Sequence, residues 1–232
     1  MEDYYEDYWL RRVEKGHLAE MPRHSIVAAT IRKAVRTGGR VLELGVGEGH
    51  NLANLAGDYN LSCCDISREA LKLVVLPEVR KVQCDLNSSF PFPGEKFDAI
   101  ICTEVLEHLL RPELLMGRIR GALEPEGVAV ISIPNTAHVE YRWTLLRGHF
   151  PDFDESHIHF WTIRDFFEFL GRFGFNVRSW QPTYLDFWIF RPLARGPISG
   201  FLRRVDLAKE LFGREIVFVV ARTRTGSPQA ET

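Results

Sequence analysis

Apolar and polar positions along this chain repeat at two periods. Short apolar or alternating runs occur at Arg40–Gly45 (RVLELG), Leu61–Asp65 (LSCCD), Val79–Asp85, Phe97–Thr103 (FDAIICT) and Gly127–Pro134 (GVAVISIP). Runs of this length predict strands, and FDAIICT, apolar almost throughout, predicts a central parallel strand covered on both faces. Between them the spacing turns helical. Leu115, Ile119 and Leu123 mark a helix over Arg111–Leu123. A second helix begins at Thr162, carries Ile163, Phe166, Phe167, Leu170 and Phe173, and stops at Gly174. Gly49–Ala56 opens another helix, and Ser67 is placed to cap a further one. Tyr4–Val35 reads as mostly helical with a break near Met21-Pro22, and Asn176–Trp180 and Glu215–Arg222 supply two late strands. The alternation predicts an α/β fold with a doubly wound, mostly parallel sheet.

Composition adds bounds. The 232 residues suit one domain, with 45% hydrophobic and 26% charged residues. A formal net charge of −2 does not call for a polyanionic partner, so nucleic acid is not expected. No apolar stretch reaches the roughly 18 residues of a membrane span. The opening MEDYYEDYWLRR is acidic and aromatic and does not read as a signal peptide. Cys63, Cys64, Cys84 and Cys102 form no CxxC pair, which fits reduced core cysteines in a cytoplasmic protein. Arg224–Thr232 is polar and reads as a disordered tail.

The sharpest chemical signal is VLELGVGEGHNL, Val41–Leu52. Gly45, Gly47 and Gly49 follow a strand, where glycines permit a tight turn and close approach to a ligand. In open parallel sheets ligands bind beyond the carboxyl ends of the strands. A nicotinamide fingerprint, GxGxxG, would need a small residue where His50 stands. Carboxylates recur at the strand ends: Glu43 before the first glycine, Asp65 as the last residue of the second strand and Asp85 as the last residue of the third. A carboxylate at the second strand end can accept both ribose hydroxyls, and one at the third can take an adenine amino group. One near the glycines can attract the cationic part of a zwitterion.

These motifs together resemble class I S-adenosylmethionine-dependent methyltransferases, nearest to the ubiquinone-biosynthesis O-methyltransferase-like and methionine-biosynthesis-W-like groups. VLELGVGEGHNL resembles the first motif, CCDIS the second, VQCDLN the third, FDAIICTEVLEHL the fourth, and LEPEGVAVISIPN a later segment. The likeness runs over about Arg40–Phe175. It implies a Rossmann-like seven-stranded sheet with an antiparallel last strand. It also implies S-adenosylmethionine at Gly45, Gly47 and Gly49, its ribose at Asp65 and Ile66, its adenine beside Asp85 and Leu86, and Thr103 and Glu104 at the transfer cleft. Residues 1–39 would be helices covering the cofactor, 40–223 the methyltransferase domain, and 135–161 and 182–214 insertions forming an acceptor lid.

The sulfonium is already reactive, so the protein has to align the acceptor and exclude water. A hydroxyl acceptor needs a base, and histidine suits neutral pH. His108 leads, with Glu104 and His157 beside it; His157 and His159 would share one face of an extended segment. Glu104, Glu107, His108 and His157 also form an ExxEH pattern with a distant histidine, similar to small-RNA 2′-O-methyltransferases, which could hold a divalent metal; the reading without metal is preferred. The expected acceptor is a small molecule, a sugar or a lipid-linked compound. Aromatic residues from Trp143 to Phe190 and the mixed basic–apolar stretch Arg191–Arg214 leave room for peripheral membrane contact. A metal-assisted RNA methyltransferase and a non-catalytic cofactor-binding homologue are the alternatives, and oligomeric state is left open.

Overall fold

The computed structural model describes residues 2–14, 20–185 and 205–223. Helices α1 (Glu2–Glu14) and α2 (Pro22–Ala34) precede β1 (Arg40–Leu44), α3 (His50–Ala53), β2 (Asn60–Asp65), α4 (Arg68–Leu73) and β3 (Arg80–Gln83). Then come β4 (Phe97–Thr103), a 3₁₀ turn at Leu106–His108, α5 (Pro112–Ala122), β5 (Leu123–Pro134) and α6 (Val139–Leu146). The described part closes with α7 (Ile163–Arg172), β6 (Phe175–Pro182), α8 (Asp206–Phe212) and β7 (Glu215–Arg222). The strands form one sheet in the order β3-β2-β1-β4-β5-β7-β6. β7 runs antiparallel to both β5 and β6, and the other pairs are parallel. This is the predicted doubly wound, Rossmann-like seven-stranded architecture. Strand order reverses between β1 and β4, which opens a crevice beyond their carboxyl ends.

Period-two patterning explains how the sheet is held. Leu42, Leu44, Ile100 and Cys102 face one layer with Ile119, Phe166 and Phe218. Val41, Ala99, Ile101 and Val130 face the other, against Val27 and Ile31 of α2. Burying each such Leu, Ile or Phe contributes about 1.5–3 kcal/mol. Thr162 caps α7 as a reciprocal box: its Oγ1 accepts the Asp165 amide at 3.2 Å, and Asp165 Oδ2 accepts the Thr162 amide at 3.2 Å. α7 buries Ile163, Phe166, Phe169 and Leu170, whereas Phe167 and Phe173 pack at the edge of the core.

Several boundaries differ from the pattern reading. β3 ends at Gln83, because Asp85 Oδ1 accepts the Asn87 amide at 2.9 Å and turns the chain; Asp85 therefore sits in a turn beyond the strand. β5 starts at Leu123 rather than Gly127. Leu123 pairs with Phe97, and the register then jumps to Ala99–Val128, so the Glu124–Gly127 turn is absorbed as a bulge. α3 is a single turn, tightened by a bond from the Leu55 amide to the Leu52 carbonyl at 3.0 Å. The expected tail and much of the Arg191–Arg214 stretch lie outside the described residues. Within that stretch α8 is a short helix. All four cysteines are buried and free.

Candidate active site

Beyond β1 the backbone takes positive φ at Gly45 (69°), Gly47 (52°) and Gly49 (76°). A Cβ at Gly45 would lie 2.5 Å from Val105 Cγ2. The amides of Gly45 and Val46 both donate to the Cys64 carbonyl at 3.0 Å, fastening the turn to β2. Asp65 continues that link: Oδ2 accepts the Gly47 amide and Oδ1 the Ser67 amide, each at 3.0 Å. Burial raises the Asp65 pKa against these bonds. Glu43 lies within β1 and is 1% exposed. Its Oε1 accepts from Asn51 Nδ2 at 2.6 Å, while Glu43 Oε2 and Asn51 Oδ1 are buried acceptors without a partner. Burial pushes the Glu43 carboxyl up to about 8.

These groups line a cavity of 330 Å³. Its roof is α1, which buries none of its own residues yet turns Tyr4, Tyr5, Tyr8, Trp9 and Arg12 toward the space. Among the described residues its side chains Glu2, Glu6 and Arg12 anchor it by polar bonds, Glu2 Oε1 accepting from Gln83 Nε2 at 2.8 Å. Glu6 accepts from Ser67 Oγ at 2.7 Å and from the amides of Arg68 at 2.8 Å and Glu69 at 3.1 Å. Desolvation opposes the charge on Glu6, but these donors hold its carboxyl below the ordinary value. Arg12 bonds Glu48 Oε1 through Nη2 at 2.6 Å and Nε at 3.1 Å. Trp9 lies over the turn, within 3.0 Å of where a Gly47 Cβ would stand. Glu6, Arg12 and Asn51 escaped the sequence reading. The helix itself was expected within residues 1–39, and its aromatic residues Tyr4, Tyr5, Tyr8 and Trp9 are the sequence feature that marks its inward face.

The cavity brings together Glu43, Gly45, Gly47, Gly49, Asp65, Ile66, Asp85, Leu86, Thr103, Glu104, His108 and His157. His159 does not join them; it stacks on Trp161 at 5.3 Å, so the two histidines do not share a face. Glu104 follows β4 with a φ of 53°, a strained conformation for a residue with a side chain, and accepts from Ser132 Oγ at 2.8 Å. Burial, then Glu215 and Glu107, holds its carboxyl well above the ordinary value. Behind it Arg23 pairs with Glu215 at 3.0 Å. Glu107 is wholly buried with both carboxylate oxygens unpartnered, and burial pushes it up to about 8.

The His108 and His157 rings meet at 4.7 Å. His108 Nδ1 lies 3.1 Å from Ser156 Oγ and 3.2 Å from the Ser156 carbonyl. The Ser156 hydroxyl already donates to Asp154 Oδ1 at 2.5 Å, and a carbonyl can only accept. Nδ1 must therefore carry the proton, which leaves the other ring nitrogen as a free base. Burial lowers both histidine pKa values, and His157 lowers that of His108 further, which favours the neutral form of each ring. Glu107, His108 and His157 also offer ligand atoms within 4.8 Å of one another.

A family model described as a methyltransferase domain matches residues 17–179. No curated protein sequence matches the chain. Solved structures share the fold at low identity. One is a chain from the Haloferax volcanii complex containing the Trm112 methyltransferase activator, at 17% identity and TM-score 0.66, covering 97% of this chain and 99% of that one. Another is an S-adenosylmethionine-dependent methyltransferase from Clostridium acetobutylicum, at 14% identity and TM-score 0.63, covering 95% and 99%. A third is the [4+2]-cyclase SpnF, at 16% identity and TM-score 0.60, covering 86% and 79%. That cyclase shows that this fold alone does not fix the chemistry, which has to be argued from the site.

Proposed function

The chain belongs to the methyltransferase-domain family; from that premise we propose that it transfers a methyl group from S-adenosylmethionine to a hydroxyl of a small-molecule, sugar or lipid-linked acceptor. The observation that carries this reading is His108, an imidazole on the cavity wall whose Nδ1 hydrogen bond leaves its second nitrogen as the basic one. The resemblance of the motifs to ubiquinone-type O-methyltransferases supports the same acceptor atom.

The residues fit the cofactor. Glu43 Oε2 and Asn51 Oδ1 are buried acceptors lacking a donor, and an ammonium group supplies one. Asp65 has lone pairs left for ribose hydroxyls beyond the two amides it holds. Asp85 and Leu86 line the cavity where adenine would lie, beside Ile66. Bound S-adenosylmethionine supplies an electrophilic methyl group. α1 and its aromatic side chains exclude water from the cavity. Thr103 and Glu104 line the transfer end, and His108 takes the acceptor proton as the new bond forms. Asp154 and Ser156 act as positioning residues, holding the His108 ring in the reactive tautomer. No described helix is long and apolar enough to cross a membrane.

A second reading is favoured by Glu107, whose unpartnered carboxylate adjoins His108 and His157. A divalent ion held there would lower the pKa of the acceptor hydroxyl and replace the imidazole as activator. An acceptor screen with methyl-labelled S-adenosylmethionine, run with and without a chelator, tests both. Label on oxygen that survives chelation supports the base mechanism, and activity lost to the chelator and restored by magnesium or manganese supports the metal. Label only on nitrogen or carbon would overturn the proposal.

A further inference from the structure

The segment from α6 into the following loop presents an unusual surface. α6 buries none of its residues. Leu146 is 80% and Phe150 79% exposed, with Trp143 and Leu145 about half exposed beside them, at 47% and 54%. Scattered exposed apolar residues are ordinary, but here four fall within eight positions of one short segment. Arg142, Arg147 and His149 are exposed within the same stretch, and it holds no carboxylate until Asp152. Glu140, at the first turn of α6, is neutralised by Arg214.

The inner side of the same loop belongs to the cavity. Phe150 packs on Phe153 at 5.8 Å, and Phe153 on Tyr141 at 4.6 Å and Phe160 at 4.8 Å. Asp154, Ser156 and His157 follow directly and line the cavity wall. The loop thus carries the base-positioning residues on one side and apolar and cationic residues at its outer end.

We propose that Arg142–Phe150 docks this enzyme on an anionic lipid surface, so that an amphiphilic, membrane-resident acceptor enters the cavity beside His157. Leu, Trp and Phe side chains enter the interface while flanking cations meet lipid phosphates. The identity of the delivered ligand rests on the methyl-transfer reading above; the docking itself does not.

The test is co-sedimentation of the full chain with vesicles of phosphatidylcholine containing phosphatidylglycerol, and with phosphatidylcholine alone. Binding to the anionic vesicles is expected, weakened by salt. Arg147→Glu should reduce it about fivefold or more, and Leu146→Glu or Phe150→Glu roughly tenfold or more. Leu146 and Arg147 are exposed, so their variants should keep the parent melting temperature, while Phe150→Glu also loses its contact with Phe153. No vesicle binding, or binding indifferent to all three variants, overturns the proposal. So does a dimer that the same variants dissolve, since the patch would then be covered by a second copy. S-adenosylhomocysteine titration of the variants separates the two claims: retained cofactor binding with lost vesicle binding supports docking, while absent cofactor binding in the parent chain defeats the methyl-transfer reading alone.

Discussion

The Gly47 amide donates to the Asp65 carboxylate at 3.0 Å, so the acid expected to receive ribose also braces the glycine turn. Its second oxygen holds the Ser67 amide, at the cap of α4, where Glu6 of α1 also bonds. Turn, ribose-side carboxylate and roof are therefore one connected structure. A change at any of these points should be felt in cofactor affinity.

Gly45→Ala tests the turn. The new Cβ meets Val105 at 2.5 Å and the backbone stays at a φ of 69°. A loss of about 1–3 kcal/mol in stability is expected. Adding Val105→Ala relieves the clash but not the φ strain, so thermal melting should show partial recovery. Full recovery, or no loss in the single variant, would contradict this account.

Glu6→Gln tests the roof. A carboxylate accepting three donors is replaced by an amide with a single acceptor oxygen. α1 should be cut faster by protease, and S-adenosylhomocysteine affinity should fall roughly tenfold, the equivalent of about 1.4 kcal/mol. Unchanged affinity would mean that α1 does not close over the cofactor.

Glu107→Gln tests the buried carboxyl. Burial raises its pKa from 4.5 to about 8. Below pH 4.5 both folded and unfolded chains hold the proton. Between pH 4.5 and 8 the unfolded chain ionises while the folded one resists, so this glutamate destabilises the fold increasingly as pH rises. In chelator, the melting temperature of the variant relative to the parent should climb from pH 5 to pH 8. A difference that stays flat across this range would show that Glu107 is ionised in the fold.

His108→Gln should lower kcat by about 10²–10⁴-fold with little change in S-adenosylmethionine affinity. Asp154→Asn should lower kcat less, and should shift the rising limb of the pH–rate profile, because it acts through Ser156 on the imidazole. Equal rates in parent and His108→Gln would remove His108 as the base.

The sheet was readable because FDAIICT and GVAVISIP are buried on both faces and are too short, and too rich in Val and Ile, for buried helices. Asp65 and the glycines were readable because strand end and turn chemistry are local. Asp85 was placed on a strand because the alternation of Val82 and Cys84 gives no warning of the turn its own side chain makes. Asp154 and Ser156 were invisible because their role depends on His108, which is distant in sequence. Glu6 and Arg12 read as ordinary charges on a helix surface; only the packing of α1 on α4 and the glycine turn gives them partners.

The most direct test is calorimetric titration of the chain with S-adenosylmethionine, S-adenosylhomocysteine and NADH, with folded Asp65→Ala alongside. Micromolar binding of the first two, lost in the variant, with no response to NADH, is the predicted result. No binding of either sulfur compound, or binding of NADH instead, would contradict the assignment of this cavity to S-adenosylmethionine.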